Sequence, residues 1–257
     1  MGTFLFDKVV FGPVNSRRLG ISLGINLLPI NSKLCSFNCI YCECGFNQKT
    51  HTPPELPTRE DVKKLLAMYF DKNSQKEKPI DVITFAGNGE PTLHPDFAGI
   101  ISDTIDLRNH YAPSVKIAVL SNATRIHIND VFLALSRVDE NILKLDSANP
   151  QTIALLNCPQ GDFNLDHIIL HLKRFNNLII QTLFIKGQYH GKIFDNSSEN
   201  ELKAWLKLII SINPQKVMIY TFARDTAAPG LEKIDNDRLL YIAGLVEKAG
   251  IKTLVSA

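Results

Sequence analysis

Strand-length hydrophobic runs alternate along the chain with longer amphipathic stretches, the pattern of a βα series with parallel strands. Six strands are predicted, over Ile25–Ile30, Asp81–Phe85, Val115–Leu120, Asn141–Leu145, Leu178–Phe184 and Lys216–Tyr220. A helix follows each, starting near Thr58, Asp96, Asn129, Asn164, Ser198 and Asp235, residue types whose side-chain oxygens cap free amides. The terminal IKTLV adds a short strand. No internal repeat, low-complexity linker or hinge divides the chain, so residues 1–257 read as one α/β domain, with 1–24 as an N-terminal extension. Right-handed βα units either close partly into a barrel or lie open as a doubly wound sheet. Both arrangements put functional groups at the carboxyl ends of the strands.

Composition adds a few exclusions. With 257 residues, 45% hydrophobic and 21% charged, the chain can bury a full core, and its net charge of +2 argues against an extended nucleic-acid surface. No apolar run approaches the roughly 18 residues of a membrane span, and MGTFLFDKVVFGP does not resemble a secretion signal. The expectation is a cytoplasmic protein with no membrane partner. Four of the five cysteines, Cys35, Cys39, Cys42 and Cys44, crowd into ten residues, which suits a metal centre and not a disulfide framework. Cys158 stands alone and reads as a buried small hydrophobe.

The spacing C-x3-C-x2-C of Cys35, Cys39 and Cys42 falls in the loop after the first predicted strand. Three thiolates can ligate three irons of a cubane cluster and leave the fourth iron open. Cys44 as a fourth ligand would make a closed zinc site instead, so spacing alone leaves iron-sulfur and zinc both standing. After the second strand comes Gly87-Asn88-Gly89-Glu90, where small residues let backbone approach a ligand and a carboxylate can accept from an ammonium group. Further strand ends carry Ser121 and Asn122, then Lys144, Asp146 and Ser147, then Lys186, then Tyr220 and Arg224. Arg17 and Arg18 form a basic pair suited to phosphate or to a salt bridge.

Cys35, Cys39, Tyr41 and Cys42 together resemble the cluster motif of the radical S-adenosylmethionine (SAM) superfamily, in which an aromatic residue precedes the last cysteine. That resemblance implies a partial (β/α)6 TIM-type barrel of parallel strands with residues 31–57 as the cluster-binding loop. It also implies two cofactors, a 4Fe-4S cluster on Cys35, Cys39 and Cys42, and SAM. Tyr41 would pack near the SAM adenine, Gly87 to Glu90 would hold its amino group, Asp146 would take the ribose, and Asn122 would face the same cofactor. Asn88 interrupts the simplest form of the family's glycine-rich element, and TLFIKGQYH does not resemble the family's adenine motif on the fifth strand. The implied reaction is reductive cleavage of SAM to a 5'-deoxyadenosyl radical that abstracts a substrate hydrogen, fed by a low-potential electron donor such as flavodoxin or ferredoxin.

The segments FGPVNSRRLGISLGINLLP, AGNGEPTLHP, KLDS and YTFARDTAAPGLEKI are similar to radical SAM iron-sulfur oxidoreductases related to the wyosine synthases, which rebuild a guanine in tRNA. No cysteine precedes Cys35 to hold a second cluster of the wyosine type. tRNA is the first substrate implied by this similarity, beside a peptide or a small molecule. Two other readings differ in what they require: an iron-sulfur carrier needs no SAM site, and a zinc-stabilised RNA-binding module needs a basic, aromatic surface.

Overall fold

In the computed structural model, which describes residues 4–48, 55–73 and 80–257, an eight-stranded sheet carries the molecule. Its strands are β1 (Val10–Ser16), β2 (Gly20–Ile25), β3 (Val82–Phe85), β4 (Lys116–Ser121), β5 (Glu140–Lys144), β6 (Leu178–Leu183), β9 (Lys216–Tyr220) and β11 (Lys252–Ser256), in that spatial order. β1 and β2 form an antiparallel hairpin, and every later neighbour is parallel. β1 and β11 stand at the two ends of the order without pairing, so the sheet curls into a partial TIM-type barrel. The helices are α1 (Arg59–Asn73), α2 (Phe97–Tyr111), α3 (Asn129–Arg137), α4 (Pro150–Asn157), α5 (Leu165–Leu172), α6 (Glu199–Ile212) and α7 (Asn236–Lys248). A small antiparallel sheet, β10 (Leu231–Lys233), β7 (Ile185–Tyr189) and β8 (Lys192–Asp195), lies beside the barrel.

The caps explain several helix starts. The Asn164 side chain accepts from the His167 amide, Asp235 accepts from the Arg238 amide, and Thr58 and Asp61 exchange bonds ahead of α1. Ser198 and Asp96 occupy N-cap positions without a side-chain bond. α4 was not expected from the alternation, although Asn149 accepts from the Gln151 amide and Pro150 sits at its first turn.

The first strand departs from the sequence expectation. It spans Gly20–Ile25 and not Ile25–Ile30, and its hairpin partner β1 lies within residues 1–24, so the expected extension carries most of the hairpin. Leu27 and Leu28 are buried, which is why hydrophobicity marks them as strand, but Asn26 ends the ladder. Its Oδ1 accepts from the Leu28 amide at 3.2 Å while its Nδ2 donates to the Leu28 carbonyl at 3.0 Å, folding the backbone back on itself. Pro29 then has no amide to offer a neighbour.

Alternation along the strands sets the barrel interior. Val82, Ala118, Ile142, Ile179 and Met218 form an apolar cluster with Leu19 and Leu254 packed against it. Two residues further along each strand, the same face presents Thr84, Leu120, Lys144, Gln181 and Tyr220, all lining a cavity. The opposite faces carry Ile83, Phe85, Ile117, Val119, Leu143, Ile180, Val217 and Ile219 into the core shared with the helices. One end of the lumen is therefore plugged and the carboxyl end is open and polar.

Trp205 on α6 ties two strand ends together. Its Nε1 donates to the Leu145 carbonyl at 3.3 Å and to Thr182 Oγ1 at 3.2 Å, and its ring meets Phe184 edge-on at 5.1 Å. Trp205→Ala is expected to lower unfolding stability by about 3–5 kcal/mol, with a smaller loss for Trp205→Phe, measured by urea denaturation. Equal losses for the two variants would show that packing volume is not what Trp205 contributes.

Candidate cofactor site

The loop leaving β2 and the turn leaving β3 are stitched together by backbone. The Leu34 amide donates to the Asn88 carbonyl at 2.9 Å and the Glu90 amide donates to the Leu34 carbonyl at 3.1 Å. The approach is so close that a Cβ on Gly89, which has φ of 142°, would lie 1.8 Å from the Leu34 carbonyl oxygen. A Cβ on Gly87 would lie 2.2 Å from Asn26 Oδ1. Both glycines are required by this contact between loops, whatever else the turn binds.

Cys35, Cys39 and Cys42 are unbridged, and all three line one cavity of about 510 Å³ at the carboxyl end of the barrel. Cys44, Lys33, Tyr41, Gly87, Gly89, Glu90, Asn122 and Lys144 share that lining. Asn122 Nδ2 lies 3.6 Å from Cys35 Sγ and Asn157 Nδ2 lies 3.5 Å from Cys39 Sγ. Burial pushes the Cys35 thiol up to about 12, reinforced by Glu90, and pushes Cys39 up to about 11. Cys42 goes the other way: a hydrogen bond from Cys44 pulls it below the ordinary thiol range, and Lys33 adds to the effect. Cys44 is also within reach of the Gly87 carbonyl, at 3.6 Å.

Glu90 is nearly fully buried, and its carboxylate is oriented from several sides. Oε1 accepts from the Thr92 amide at 3.1 Å, Thr92 Oγ1 at 2.6 Å and Ser121 Oγ at 2.8 Å, and Oε2 accepts from the Asn122 amide at 2.6 Å. Burial raises its pKa, and these donors oppose the rise. Asn122 Nδ2 also donates to Ser36 Oγ at 2.9 Å, joining the β4 end to the cysteine loop.

Two of the expected cofactor contacts, Asn88 and Asp146, are engaged by protein partners. Asn88 is fully buried and absent from the cavity lining. Its Oδ1 accepts from the Phe6 amide at 2.8 Å, and its Nδ2 donates to the Phe6 and Pro29 carbonyls at 2.9 and 2.7 Å, so the side chain holds loops together. Asp146 also lies outside the cavity lining. Its Oδ1 accepts from the Leu183 amide at 3.0 Å, and its Oδ2 accepts from Tyr41 Oη, from Asn157 Nδ2 at 2.7 Å and from Lys144 Nζ at 3.5 Å. Oδ2 is thus held by three protein donors, while Oδ1 takes one. Tyr41 does line the cavity, with its hydroxyl accepting from Lys144 Nζ at 3.0 Å and its ring 5.1 Å from that ammonium. Burial lowers the Lys144 pKa, but Asp146, Tyr220 and Cys39 together outweigh it and hold the ammonium above its usual range. Burial, then Asp146, raises Tyr41 well above the usual phenol range.

Asn26, Lys33 and Asn157 have structural consequences at the site and were not singled out by sequence, because nothing in their local pattern separates them from ordinary loop polar residues. Cys158 is half-buried, its Sγ donates to the Leu155 carbonyl at 3.3 Å, and it does not line the cavity.

Among the described residues, no three His, Cys, Asp or Glu side chains converge on a point for a single metal ion. A cubane cluster makes a different demand, one thiolate on each of three irons spread around a cage, and three free thiols facing one cavity fit it. The family model of the Radical SAM superfamily matches residues 32–178, which contain all three cysteines and Glu90.

The chain belongs to the radical SAM superfamily.

Superfamily members bind a 4Fe-4S cluster and SAM, and these are the cofactors of this radical SAM protein. It is 31% identical over 239 residues to a UPF0026 protein of Helicobacter pylori, covering 90% of this chain and 71% of that one. It is also 31% identical over 240 residues to a GTPase Obg of Brachyspira hyodysenteriae, covering 91% of this chain but only 33% of that protein. The chain thus spans about a third of that longer relative. Among solved structures, a radical SAM methyltransferase from Sphaerobacter thermophilus superposes with a TM-score of 0.66 at 13% identity, over 91% of this chain and 65% of that one. SuiB of Streptococcus suis bound to S-adenosylmethionine gives 0.62 at 15% identity, over 90% and 50%. Archaeal TYW1 gives 0.52 at 13% identity, over 89% and 72%. At these identities the likeness is one of fold. No helix among the described residues is long and apolar enough to cross a membrane.

Asp146→Ala should destabilise the protein by about 3–5 kcal/mol in chemical denaturation, because it strands the buried Lys144 ammonium without its counter-charge. Asp146→Asn should cost less, since it retains an oxygen for the Leu183 amide. A stability change near zero for Asp146→Ala would refute the structural assignment.

Proposed function

We propose that Cys35, Cys39 and Cys42 hold the 4Fe-4S cluster and that Gly87, Gly89, Glu90 and Asn122 form the wall that receives SAM beside it. The observation that carries this reading is the shared cavity, in which the three thiols and an oriented, buried carboxylate face the same space. When bound, the reduced cluster supplies the electron that cleaves SAM to methionine and a 5'-deoxyadenosyl radical, the agent of hydrogen abstraction. The chain's own residues bind, orient and shield. Glu90 is held by Thr92, Ser121 and Asn122 so that its carboxylate can accept from the SAM ammonium without reorganising. Tyr41 is immobilised by Asp146, Lys144 and Asn157 and presents its ring to the adenine side. The apolar cluster below the cavity keeps water from entering through the barrel floor.

The open side of the cavity favours an anionic, partly aromatic substrate. Arg17 and Arg18 line it together with Phe4, Phe6, Phe11 and Phe222, and Arg224 lines it paired with Glu43 at 2.7 Å. Phe6 and Phe11 stack at 3.9 Å, and Arg18 lies 4.3 Å over the Tyr220 ring. Guanidinium groups suit phosphate and aromatic faces suit bases, so a tRNA nucleoside is the preferred substrate in this reading, consistent with the similarity to wyosine-related oxidoreductases. A cytoplasmic flavodoxin or ferredoxin would deliver the electron.

Anaerobic reconstitution with iron and sulfide, followed by dithionite and SAM, should release 5'-deoxyadenosine, and the Cys35, Cys39, Cys42 triple-alanine variant should release none. Glu90→Gln should raise the KM for SAM roughly tenfold or more, as expected for loss of a charge-assisted bond of about 1.5–3 kcal/mol. A loaded cluster that neither binds nor cleaves SAM would instead support the carrier reading.

A further inference from the structure

Lys33 is a buried ammonium, 6% exposed, inside the loop that carries the cysteines. Its Nζ donates to the Gly45 carbonyl at 2.9 Å, and it lines the same cavity as Cys35, Cys39 and Cys42. No ion pair among the described residues includes it, whereas the site's other buried lysine, Lys144, has Asp146. A buried charge is costly unless something of opposite sign offsets it. The groups near Lys33 that can carry that sign are cysteine sulfurs, those of Cys35, Cys39 and Cys42 and also Cys44 in the same cavity lining. In the loaded protein the first three are thiolates on a cluster that gains one further negative charge on reduction.

We propose that Lys33 is the internal counter-charge of the cluster, holding the thiolate loop in place and stabilising the reduced state so that its midpoint potential is raised. This rests on the reading that Cys35, Cys39 and Cys42 are the ligands. The effect is electrostatic: a fixed positive charge near the cluster, in a site screened from water, favours the more negative oxidation state. Lys33 is thus a positioning residue, and it touches the chemistry only through the cluster's charge.

The decisive variant is Lys33→Gln, which keeps a donor for the Gly45 carbonyl and removes the charge. Lys33→Arg, which keeps the charge, is its partner. Each is reconstituted anaerobically, its iron and sulfide content is measured, and the SAM-free cluster is titrated by electron paramagnetic resonance against solution potential. At the potential where half of the wild-type cluster is reduced, Lys33→Gln should show a reduced-to-oxidised ratio at least about tenfold smaller, which is about 59 mV for one electron. Where Lys33→Gln fails to hold a cluster, retention by Lys33→Arg supports the proposal, and equal loss by both variants overturns it. An unchanged potential in a fully loaded Lys33→Gln also overturns it, and weaker SAM binding alongside that unchanged potential would give Lys33 to the SAM carboxylate. A wild-type protein that assembles no cluster sinks the ligand reading itself, and the proposal with it. A wild-type cluster lost in the triple-alanine variant, with potential insensitive to Lys33, sinks only the proposal.

Discussion

The backbone contact between the cysteine loop and the turn after β3 is the constraint on which the site depends. Leu34 and Gly89 approach until no side chain fits between them, and the Leu34 amide and carbonyl bond to Asn88 and Glu90. The same contact fixes where the thiols begin, at the residue after Leu34, and where Glu90 starts, since the Glu90 amide is one of the bonded groups. Asn26 and Asn88 enforce it from below, since the Asn88 amide donates to Asn26 Oδ1 at 3.0 Å while the Asn88 side chain clamps Phe6 and Pro29. Two segments some fifty residues apart thereby become one rigid rim.

Buried charge follows a consistent logic around that rim. Asp146 and Lys144 neutralise each other and lock Tyr41, with Asn157 closing the network against the carboxylate. Glu90 has no cationic partner among the ion pairs of the described residues, and its hydrogen-bond donors are neutral. Such a carboxylate is well placed to meet a cation that arrives with a ligand. The protein thus separates groups that build the wall from groups that await a cofactor. Asp146 and Asn88 are held by protein partners, while Lys33 is buried with no ion-pair partner among the described residues.

The barrel supplies the remaining asymmetry. Strand alternation places apolar residues at one depth of the lumen and polar residues two positions later, so the cavity opens only toward the carboxyl ends. Arginine and phenylalanine from the β1–β2 hairpin and from the segment after β9 then complete its mouth. A hairpin in the first 25 residues, at the opposite edge of the sheet from β11, is brought to face residues 220–224 by the curl of the sheet.

Local pattern was enough for the βα alternation, because strand-length apolar runs and helix caps are written within a few residues of each other. It was enough for the cysteine cluster too, since C-x3-C-x2-C is a spacing within one loop. Tertiary structure decided what long-range partners decide. Ile25–Ile30 reads as a strand because Leu27 and Leu28 are apolar, yet Asn26 turns the chain there, in part by accepting from Asn88, 62 residues away. Asp146 and Asn88 look like free polar groups at strand ends, but their acceptors and donors are occupied by Leu183, Asn157, Phe6 and Pro29. Lys33 looks like a solvated loop lysine, and only the packed loop shows its charge buried beside the thiols. Sequence by itself determines which residue types and local periods are available; burial and hydrogen-bond partnership are properties of the closed fold, set by segments that meet only when the sheet curls.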